Sequence, residues 1–343
     1  MLKMNTVLEN DIKEFVKSFA LTDGLIGSSF LITGATGLIG SILIHSLLAL
    51  DKEIKIIAPL RNKAKAVGLF STEELMHITI IECDIVKYDY SQLNDVNFII
   101  HCAAPTASKF FVDHPVETFD IIYNGTKVLL DYAKEKPIKG FVYLSSLEVY
   151  GEIHDDSVPV TEDVQGYLDV MSVRSSYPMA KRAAENLCCL YASEYGVPAK
   201  VARLTQTTGA GIAKDDNRVI AQFARLASQG QDIILHTTGE AARPYCYTTD
   251  AISAILYILL KGKSGEAYNV ANEDTYISAR GMAEFLRDNF NPNVNVRFEL
   301  KDNMGYAPST KLRLSIEKLN RLGWTPKFDL YKIFGNLITY LSR

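Results

Sequence analysis

The sequence predicts an α/β fold, with a doubly wound parallel sheet and a smaller C-terminal α/β lobe. Up to residue 204, short apolar runs alternate with helical patterns, and beyond it the loops lengthen and the elements become mixed. A chain of 343 residues is long enough for one large domain and an appended lobe. We expect the main domain at 28–204 plus about 247–262, and a substrate-binding lobe at 205–246 plus 263–343.

The apolar runs give the order of the elements. Because strands alternate with helices, we expect the strands to be parallel and covered by helices on both faces. An amphipathic helix within residues 1–27 is expected to pack on the main domain. The predicted strands are 30–33, 54–58, 78–82, 98–101, 141–145 and 199–204. The predicted helices after the N-terminal one are 38–50, 116–134, 177–195 and 250–260.

Composition argues against several classes of protein. The net charge is −4 and there is no basic run, which disfavours a nucleic-acid partner. No apolar stretch approaches the length of a membrane span, and the acidic N-terminus does not resemble a signal peptide. The five cysteines have no metal-ligand spacing, so we expect no metal site and a cytoplasmic location.

A glycine-rich turn joins the first predicted strand to the first long helix. Gly34 permits a tight turn, Gly37 permits close approach of a pyrophosphate, and Gly40 lets the helix lie near the strand. A glycine turn without a ligand is the alternative, but the strand–turn–helix context favours a Rossmann-like dinucleotide site. The expected cofactor contacts here are Gly34, Thr36, Gly37, Leu38, Ile39 and Gly40.

The ends of the next two strands bear on the choice of cofactor. The second is followed by Arg61 and Lys63, without the carboxylate that would hold the ribose hydroxyls of NAD. These cations favour NADP slightly over NAD, the alternative being two solvated basic residues. Asp84, followed by Ile85, is placed to accept the adenine amino group, although an aspartate there could simply cap a loop.

Tyr177 and Lys181 are four residues apart, so they share one face of a predicted helix. We expect the ammonium, together with a positive nicotinamide, to lower the tyrosine pKa from its usual value of about 10, making the phenol a general base. Lys181 could also hold the nicotinamide ribose, and Ser146 could hydrogen-bond the same substrate oxygen as Tyr177. The tyrosine–lysine spacing alone is common on helices; the glycine turn and the Ser145–Ser146 strand end favour a catalytic interpretation.

At this point the chain resembles the extended short-chain dehydrogenases/reductases, in the NAD-dependent epimerase/dehydratase group that acts on nucleotide sugars. The resemblance covers nearly all of residues 28–330. It implies that Ser146, Tyr177 and Lys181 are catalytic, that Ala103 lines the cofactor, and that Arg243 grips a substrate diphosphate. The matching segments are 33–40, 101–105, 145–151, 177–181, 203–211 and 243–250.

The subgroup that the chain resembles most is the UDP-glucuronate decarboxylases, through the segments 145–151 and 174–177. This likeness places Glu148 near the sugar, the alternative being a polar residue that faces water. Leu147 replaces a small polar residue, and because leucine cannot protonate a leaving hydroxyl, a 4,6-dehydratase is disfavoured. Gln206 stands where the family has asparagine and still offers an amide to the substrate.

The resemblance further implies a nucleotide-diphosphate sugar as substrate, with Arg218 or Lys214 as additional diphosphate contacts unless they are ordinary surface charges. A 4-epimerase acting through a transient 4-keto sugar is the first expectation, and a UDP-glucuronate-type decarboxylase is the alternative. An NADPH-dependent keto-sugar reductase and a non-catalytic cofactor-binding protein remain open. Family members pair the helices at 116–134 and 177–195 into a homodimer; alternatively, both helices are buried within one chain.

Overall fold

The computed structural model describes residues 5–51, 53–301 and 310–342. The strands are β1 (Ser29–Thr33), β2 (Lys55–Leu60), β3 (Ile78–Glu82), β4 (Phe98–His101), β5 (Gly140–Ser146), β6 (Ala199–Leu204), β7 (Gln206–Thr208), β8 (Ile233–Leu235), β9 (Ala242–Tyr247), β10 (Ala267–Val270), β11 (Asn272–Ser278) and β12 (Val296–Phe298). The helices are α1 (Thr6–Ser18), α2 (Leu38–Leu50), α3 (Lys63–Leu69), α4 (Thr72–Leu75), α5 (Ser108–Asp113), α6 (Pro115–Lys134), α7 (Ser176–Tyr195), α8 (Val219–Ser228), α9 (Thr248–Lys261), α10 (Ala279–Asn289), α11 (Glu317–Asn320) and α12 (Leu330–Leu341).

The central sheet has seven parallel strands in the order β3-β2-β1-β4-β5-β6-β10. All five residues of β1 are buried, and separate apolar clusters cover the two faces of the sheet. The predicted doubly wound α/β fold is therefore confirmed. The strand order reverses between β1 and β4, and such a reversal opens a crevice at the carboxyl ends of the strands.

The last strand of this sheet comes from a segment that the sequence assigned to the smaller lobe. β10 pairs in parallel with β6, so the boundary predicted near residue 262 is wrong for this strand. The run is only four residues long and contains Asn269, which weakens its apolar signal. The buried Asn269 amide is satisfied because it donates to the carbonyls of Val160 at 3.1 Å and Ser315 at 2.9 Å.

The segment around Trp324 also belongs to the main core rather than to the lobe. Its indole is buried, and Nε1 donates to the Ser253 hydroxyl of α9 at 2.7 Å. Asp250, in the first turn of α9, accepts from the backbone N–H groups of Lys327 and Phe328. The chain after Trp324 is therefore anchored on α9 before it enters α12.

The N-terminal helix α1 packs against α2, α9 and α12, in line with the predicted amphipathic helix. Ile12 and Phe15 lie in its buried face. Asp11 is buried with them and accepts from the Tyr247 hydroxyl at 2.5 Å and from the Asn336 amide at 3.2 Å. Residues 1–4 of the predicted extension lie outside the described residues.

A third apolar cluster lies among α8, α10, α12 and two small sheets, one of order β11-β9-β7 and one of order β12-β8. This is the part of the chain from which the substrate-binding side chains were expected; residues 302–309 and 343 lie outside the description. None of the described helices is both long enough and apolar enough to cross a membrane.

Candidate active site

The glycine turn lies between the end of β1 and the start of α2. Gly34 has a φ of +68°, and a Cβ on it would lie 2.9 Å from the backbone nitrogen of Ala103. A Cβ on Gly40 would lie 2.3 Å from the Gly34 carbonyl oxygen. Both positions therefore require glycine, because the turn packs directly against neighbouring backbone.

The start of α2 is suited to a phosphate. Gly37 is its N-cap residue and supplies no side-chain cap, so no side chain there competes for the first N–H groups of the helix. A Cβ on Gly37 would approach only the Gly34 carbonyl, at 3.3 Å, so the turn presents bare backbone. N–H groups of this kind, at the positive end of a helix dipole, bind dinucleotide phosphates. The residues present therefore fit a dinucleotide cofactor.

Two polar side chains that the sequence did not single out join β1 to β4 beneath this turn. Thr33 and His101 are aligned in register, and the Thr33 hydroxyl hydrogen-bonds His101 Nδ1 at 2.6 Å. The same hydroxyl accepts from the Ala103 N–H at 3.2 Å. Burial lowers the pKa of His101 to about 3, so its ring is neutral. Their position as the last residues of two predicted strands was a signal that could have paired them.

The remaining predicted cofactor residues lie at the carboxyl ends of β2 and β3. Arg61 is exposed directly after β2. Asp84 is also exposed, and its carboxylate accepts from the Val86 N–H at 3.0 Å, so it does cap a local turn. Ile85 is buried, and its Cδ1 lies 3.3 Å from where a Cβ on Gly125 would be. Adenine recognition by Asp84 stays a prediction.

Ser146 and Tyr177 meet at the end of β5. Ser146 is the last residue of β5, and Tyr177 is in the first turn of α7. Ser146 Oγ accepts from the Glu148 N–H at 3.2 Å, and its side chain lies close enough to the Tyr177 phenol to oppose the rise in the pKa of that phenol. Tyr177 is almost fully buried beneath the ring of Phe111. The structure therefore brings together the two hydroxyl groups that the sequence predicted to share one substrate oxygen.

Lys181 lies one turn along α7 from Tyr177 and is itself buried. Its Nζ donates to the Leu144 carbonyl at 2.6 Å and lies 5.7 Å from the centroid of the Tyr177 ring. Burial lowers the pKa of Lys181 to about 7, although the Glu185 carboxylate opposes that change. The predicted third member of the catalytic group is thus within the same buried region.

The structure does not support a tyrosine pKa lowered by Lys181 alone. Burial raises the pKa of Tyr177 above its usual value, and the Glu148 carboxylate raises it further. The Ser146 hydrogen bond and the Arg174 charge act in the opposite direction but are smaller effects. The physical reason is that desolvation penalises the phenolate more than the nearby polar groups stabilise it.

Glu148 forms an ion pair with Arg174 instead of facing water alone. Arg174 Nη2 donates to Oε2 at 2.9 Å and to Oε1 at 3.2 Å. The guanidinium lies 5.1 Å from the ring centroid of Phe111, which in turn covers Tyr177. In the sequence, Arg174 was noted only as part of the segment 174–177 that resembles the decarboxylases. Phe111 was not predicted, because the sequence of α5 does not indicate which aromatic ring covers Tyr177.

Leu147, between Ser146 and Glu148, points into the main apolar core and is 7% exposed. The turn Leu147–Tyr150 is a short 3₁₀ helix, which places neighbouring side chains on different sides. This position therefore offers no acid to the site, consistent with the expectation that dehydration is disfavoured.

The predicted substrate residues differ in how far they are already engaged. Arg218 forms a close ion pair with Asp216 and donates to the Thr207 carbonyl at 2.7 Å, so its role as a diphosphate contact is not supported. Lys214 donates to the Tyr340 carbonyl at 2.8 Å. The ion pair of Arg218 is local, because Asp216 lies only two residues before it and accepts from its Nε at 3.0 Å.

The Arg243 side chain, in contrast, makes no hydrogen bond or ion pair with the described parts of the chain. Arg243 lies on β9. Burial raises the pKa of the nearby Tyr245 phenol, and the positive charges of Arg243 and Arg218 oppose that rise. Gln206 is the first residue of β7 and pairs in register with Tyr245. Arg243 and Gln206 therefore flank the same tyrosine, and with respect to the described residues the guanidinium of Arg243 has all its donors available for an anion.

The sequence model of the NAD dependent epimerase/dehydratase family matches residues 30–271, which include the glycine turn, Ser146, Tyr177, Lys181 and Arg243. The chain belongs to this family. Members of the family are NAD-dependent enzymes, and the glycine turn of this enzyme fits that cofactor. In the described ranges, no group of three or more His, Cys, Asp or Glu side chains could hold a metal ion.

Among characterised relatives, UDP-glucuronic acid decarboxylase 5 of Arabidopsis thaliana is 28% identical over 302 residues, covering 88% of this chain and 85% of the relative. UDP-glucuronic acid decarboxylase 1 of Danio rerio is 26% identical over 323 residues, covering 91% and 72%. The enzyme is thus similar to the subgroup expected from its sequence motifs.

Solved structures share the fold. A UDP-glucose 4-epimerase of Thermotoga maritima superposes with a TM-score of 0.79 at 21% identity, covering 92% of this chain and 98% of the other. A UDP-glucuronic acid 4-epimerase of Bacillus cereus, solved with UDP-glucuronic acid and NAD, superposes with a TM-score of 0.76 at 21% identity, covering 92% and 99%.

Proposed function

We propose that this enzyme oxidises the 4-hydroxyl of a nucleotide-diphosphate sugar to a transient ketone and returns the hydride to the opposite face, which makes it a 4-epimerase. The observation that carries the proposal is the proximity of the Ser146 and Tyr177 hydroxyls at the end of β5, beside the buried Lys181. Two hydroxyls and a cation at the carboxyl end of β5 are the groups needed to accept a proton and hold the resulting oxygen.

Each side chain then has a chemical task. Tyr177 would take the proton of the 4-hydroxyl as the phenolate, since the positive charges of Lys181 and of a bound nicotinamide would offset the burial that raises its pKa. Bound NAD(P) would supply the hydride acceptor and later the hydride donor. Ser146 donates to the same oxygen and stabilises the charge that develops on it. Because Tyr177 is buried, this proton transfer takes place away from bulk water, where a fixed donor is worth more than in solution.

Binding of cofactor and substrate follows from the residues that present unused donors. The backbone around Gly34 and Gly37 would hold the pyrophosphate, and Lys181 the nicotinamide ribose. Arg61, exposed after β2 where no carboxylate stands, favours NADP over NAD. Arg243 would take the substrate diphosphate and Gln206 a sugar or phosphate oxygen, since Arg218 is already paired with Asp216.

Decarboxylation is the second candidate, with Arg174 as the cation that would bind the sugar carboxylate. If C5 of the sugar bears a carboxylate, a ketone at C4 accepts the electron pair of the C5–C6 bond as carbon dioxide leaves. C5 then takes up a proton and the hydride returns to C4, so the cofactor ends as it began. Arg174 would bind that carboxylate only by exchanging its present partner, Glu148, for it. The likeness to decarboxylases supports the same reading.

The deciding experiment incubates the purified enzyme with UDP-glucose, UDP-N-acetylglucosamine or UDP-glucuronate and with NAD or NADP. An epimer without net redox change identifies the epimerase, and carbon dioxide from UDP-glucuronate identifies the decarboxylase. Stoichiometric NADPH consumption with a keto-sugar would identify a reductase instead. Tyr177→Phe is the control: we expect a loss of about 10²–10⁴-fold, and full activity in that variant would contradict the catalytic assignment.

We also propose a homodimer formed by α6 and α7. These two helices pack on each other and still leave large apolar side chains exposed on their outer faces, as expected for a bundle with a second copy. The exposed residues are Val116, Phe119, Leu190 and Tyr195. Sedimentation equilibrium should give a dimer for the natural chain and a monomer for Leu190→Glu, whereas a monomeric natural chain would exclude this assembly.

A further inference from the structure

A buried arginine behind the active site contacts both segments that carry its catalytic side chains. Arg203 lies on β6, with its side chain 9% exposed. We propose that Arg203 is a positioning residue that sets the place of the Ser146–Glu148 turn relative to α7. This inference rests on the proposed function, because it concerns the geometry of proton and hydride transfer at that site.

The first contact of Arg203 is with α7. Its Nη2 donates to Glu185 Oε2 at 2.7 Å, and its Nε lies 3.1 Å from each carboxylate oxygen. Glu185 is only 11% exposed, so the pair is shielded from water. Glu185 is four residues after Lys181 and shares its helix face. A fixed Glu185 therefore fixes the rotation of α7 about its axis, and with it the direction of Lys181 and Tyr177.

The second contact is with the turn after β5. Arg203 Nη1 donates to the Tyr150 hydroxyl at 3.0 Å, and its guanidinium carbon lies 5.0 Å from the Tyr150 ring centroid. Tyr150 is fully buried and is the last residue of the 3₁₀ turn that begins next to Ser146. Its hydroxyl donates in turn to Asn269 of β10 at 2.6 Å. The end of the turn is thereby tied to the sheet.

A second cation strengthens the same link from the helix side. Arg182 of α7 donates through Nε to the Val149 carbonyl at 2.7 Å and through Nη2 to the Gly166 carbonyl at 2.8 Å. Arg203 Nη1 also reaches the carbonyl of Glu162 at 2.7 Å. Four of the five N–H groups of Arg203 thus have acceptors, and these lie on three different segments of the chain.

Lysine could not replace this arrangement. A single ammonium could pair with Glu185 or donate to Tyr150, but it lacks the planar fork that does both at once. Loss of one partner would also leave the other polar groups buried without full hydrogen bonding, which favours a local shift of the turn. A displacement of about 1 Å at a reacting centre can cost on the order of 100-fold in rate.

The test uses Arg203→Lys in the full-length enzyme with its nucleotide-sugar substrate, protiated or deuterated at C4. We expect kcat to fall about 10- to 100-fold with KM within about twofold, and the isotope effect on kcat to increase because hydride transfer becomes slower. Tyr150→Phe, which keeps the ion pair, should lose less. Arg321→Lys, in an exposed ion pair at the end of α11, is the matched control and should be unchanged.

The isotope effect separates positioning from a simple loss of folded enzyme. Fewer folded molecules lower kcat without changing the isotope effect, and that result would overturn the inference. Natural values of kcat and isotope effect in Arg203→Lys would overturn it too. If Arg203→Lys does not fold, Tyr150→Phe decides in the same way. A natural enzyme that turns over no nucleotide sugar refutes the proposed function, and this inference with it.

Discussion

The ring of Phe111 lies parallel to the ring of Tyr177, with their centroids 4.2 Å apart and their planes inclined by 10°. Phe111 belongs to α5, a short helix after β4, and is itself 2% exposed. It excludes water from one face of the phenol, and Lys181 Nζ lies 5.7 Å from the centroid of the same Tyr177 ring. This contact contributes to the burial that dominates the raised pKa of Tyr177.

Phe111→Ala should therefore lower the pKa of Tyr177 towards its ordinary value of 10, because water reaches the phenolate. Phenolate absorbance, taken as the difference between each protein and its Tyr177→Phe counterpart, isolates this tyrosine from the others. Phe119→Ala, which removes a ring stacked on Tyr123 of α6, is the control. An unchanged titration of Tyr177 in Phe111→Ala would show that this ring does not cause the shift.

Lys181 should make stability rise with pH. Its pKa is about 7 in the folded chain against an ordinary 10.5, so between these values the unfolded chain binds more protons than the folded one. The free energy of unfolding should increase from pH 7 to pH 9, and Lys181→Met should remove that part of the increase. Denaturant titrations at each pH measure it. Lys13→Met, at an exposed ion pair, should keep the natural slope.

Asp11 should have the opposite effect at lower pH. Burial raises its pKa to about 7 from an ordinary 3.8, so in this window the unfolded chain has lost a proton that the folded chain retains. Stability should fall as the pH rises from 4 to 7. Asp11→Asn should flatten this fall because an amide does not titrate, and it should still fold because the amide can bond to Tyr247 and Asn336. Thermal unfolding at several pH values measures the slope. An equal change in the exposed Asp23→Asn would contradict this assignment.

Arg61 should distinguish the two nicotinamide cofactors. A cation beside the adenine ribose would pair with a 2′-phosphate, so Arg61→Ser should raise the Kd for NADP about 10-fold and leave that for NAD unchanged. Isothermal titration with each cofactor measures both constants. Lys65→Ser, at a nearby exposed position on α3, controls for general loss of positive charge. Equal weakening of NAD and NADP, or of neither, would argue against NADP preference.

Most strands and helices of the main domain could be predicted from the sequence because their local hydrophobic patterns are strong. The strands β3, β4 and β6 and the helix α2 have the predicted bounds, since apolar runs between turn residues need no distant partner to be recognised. β10 was missed because Asn269 is buried by hydrogen bonds to carbonyls from distant parts of the chain. A polar residue of that kind looks exposed in sequence.

The sequence by itself predicted which residues could carry the chemistry: a glycine turn at Gly34, Gly37 and Gly40, and the serine, tyrosine and lysine at 146, 177 and 181. Only the tertiary structure decided their state. Phe111 from α5 buries Tyr177, Asp216 engages Arg218, and Arg203 joins α7 to the turn of Tyr150. Residue types and short spacings are local, whereas desolvation and charge pairing depend on which distant segments pack together.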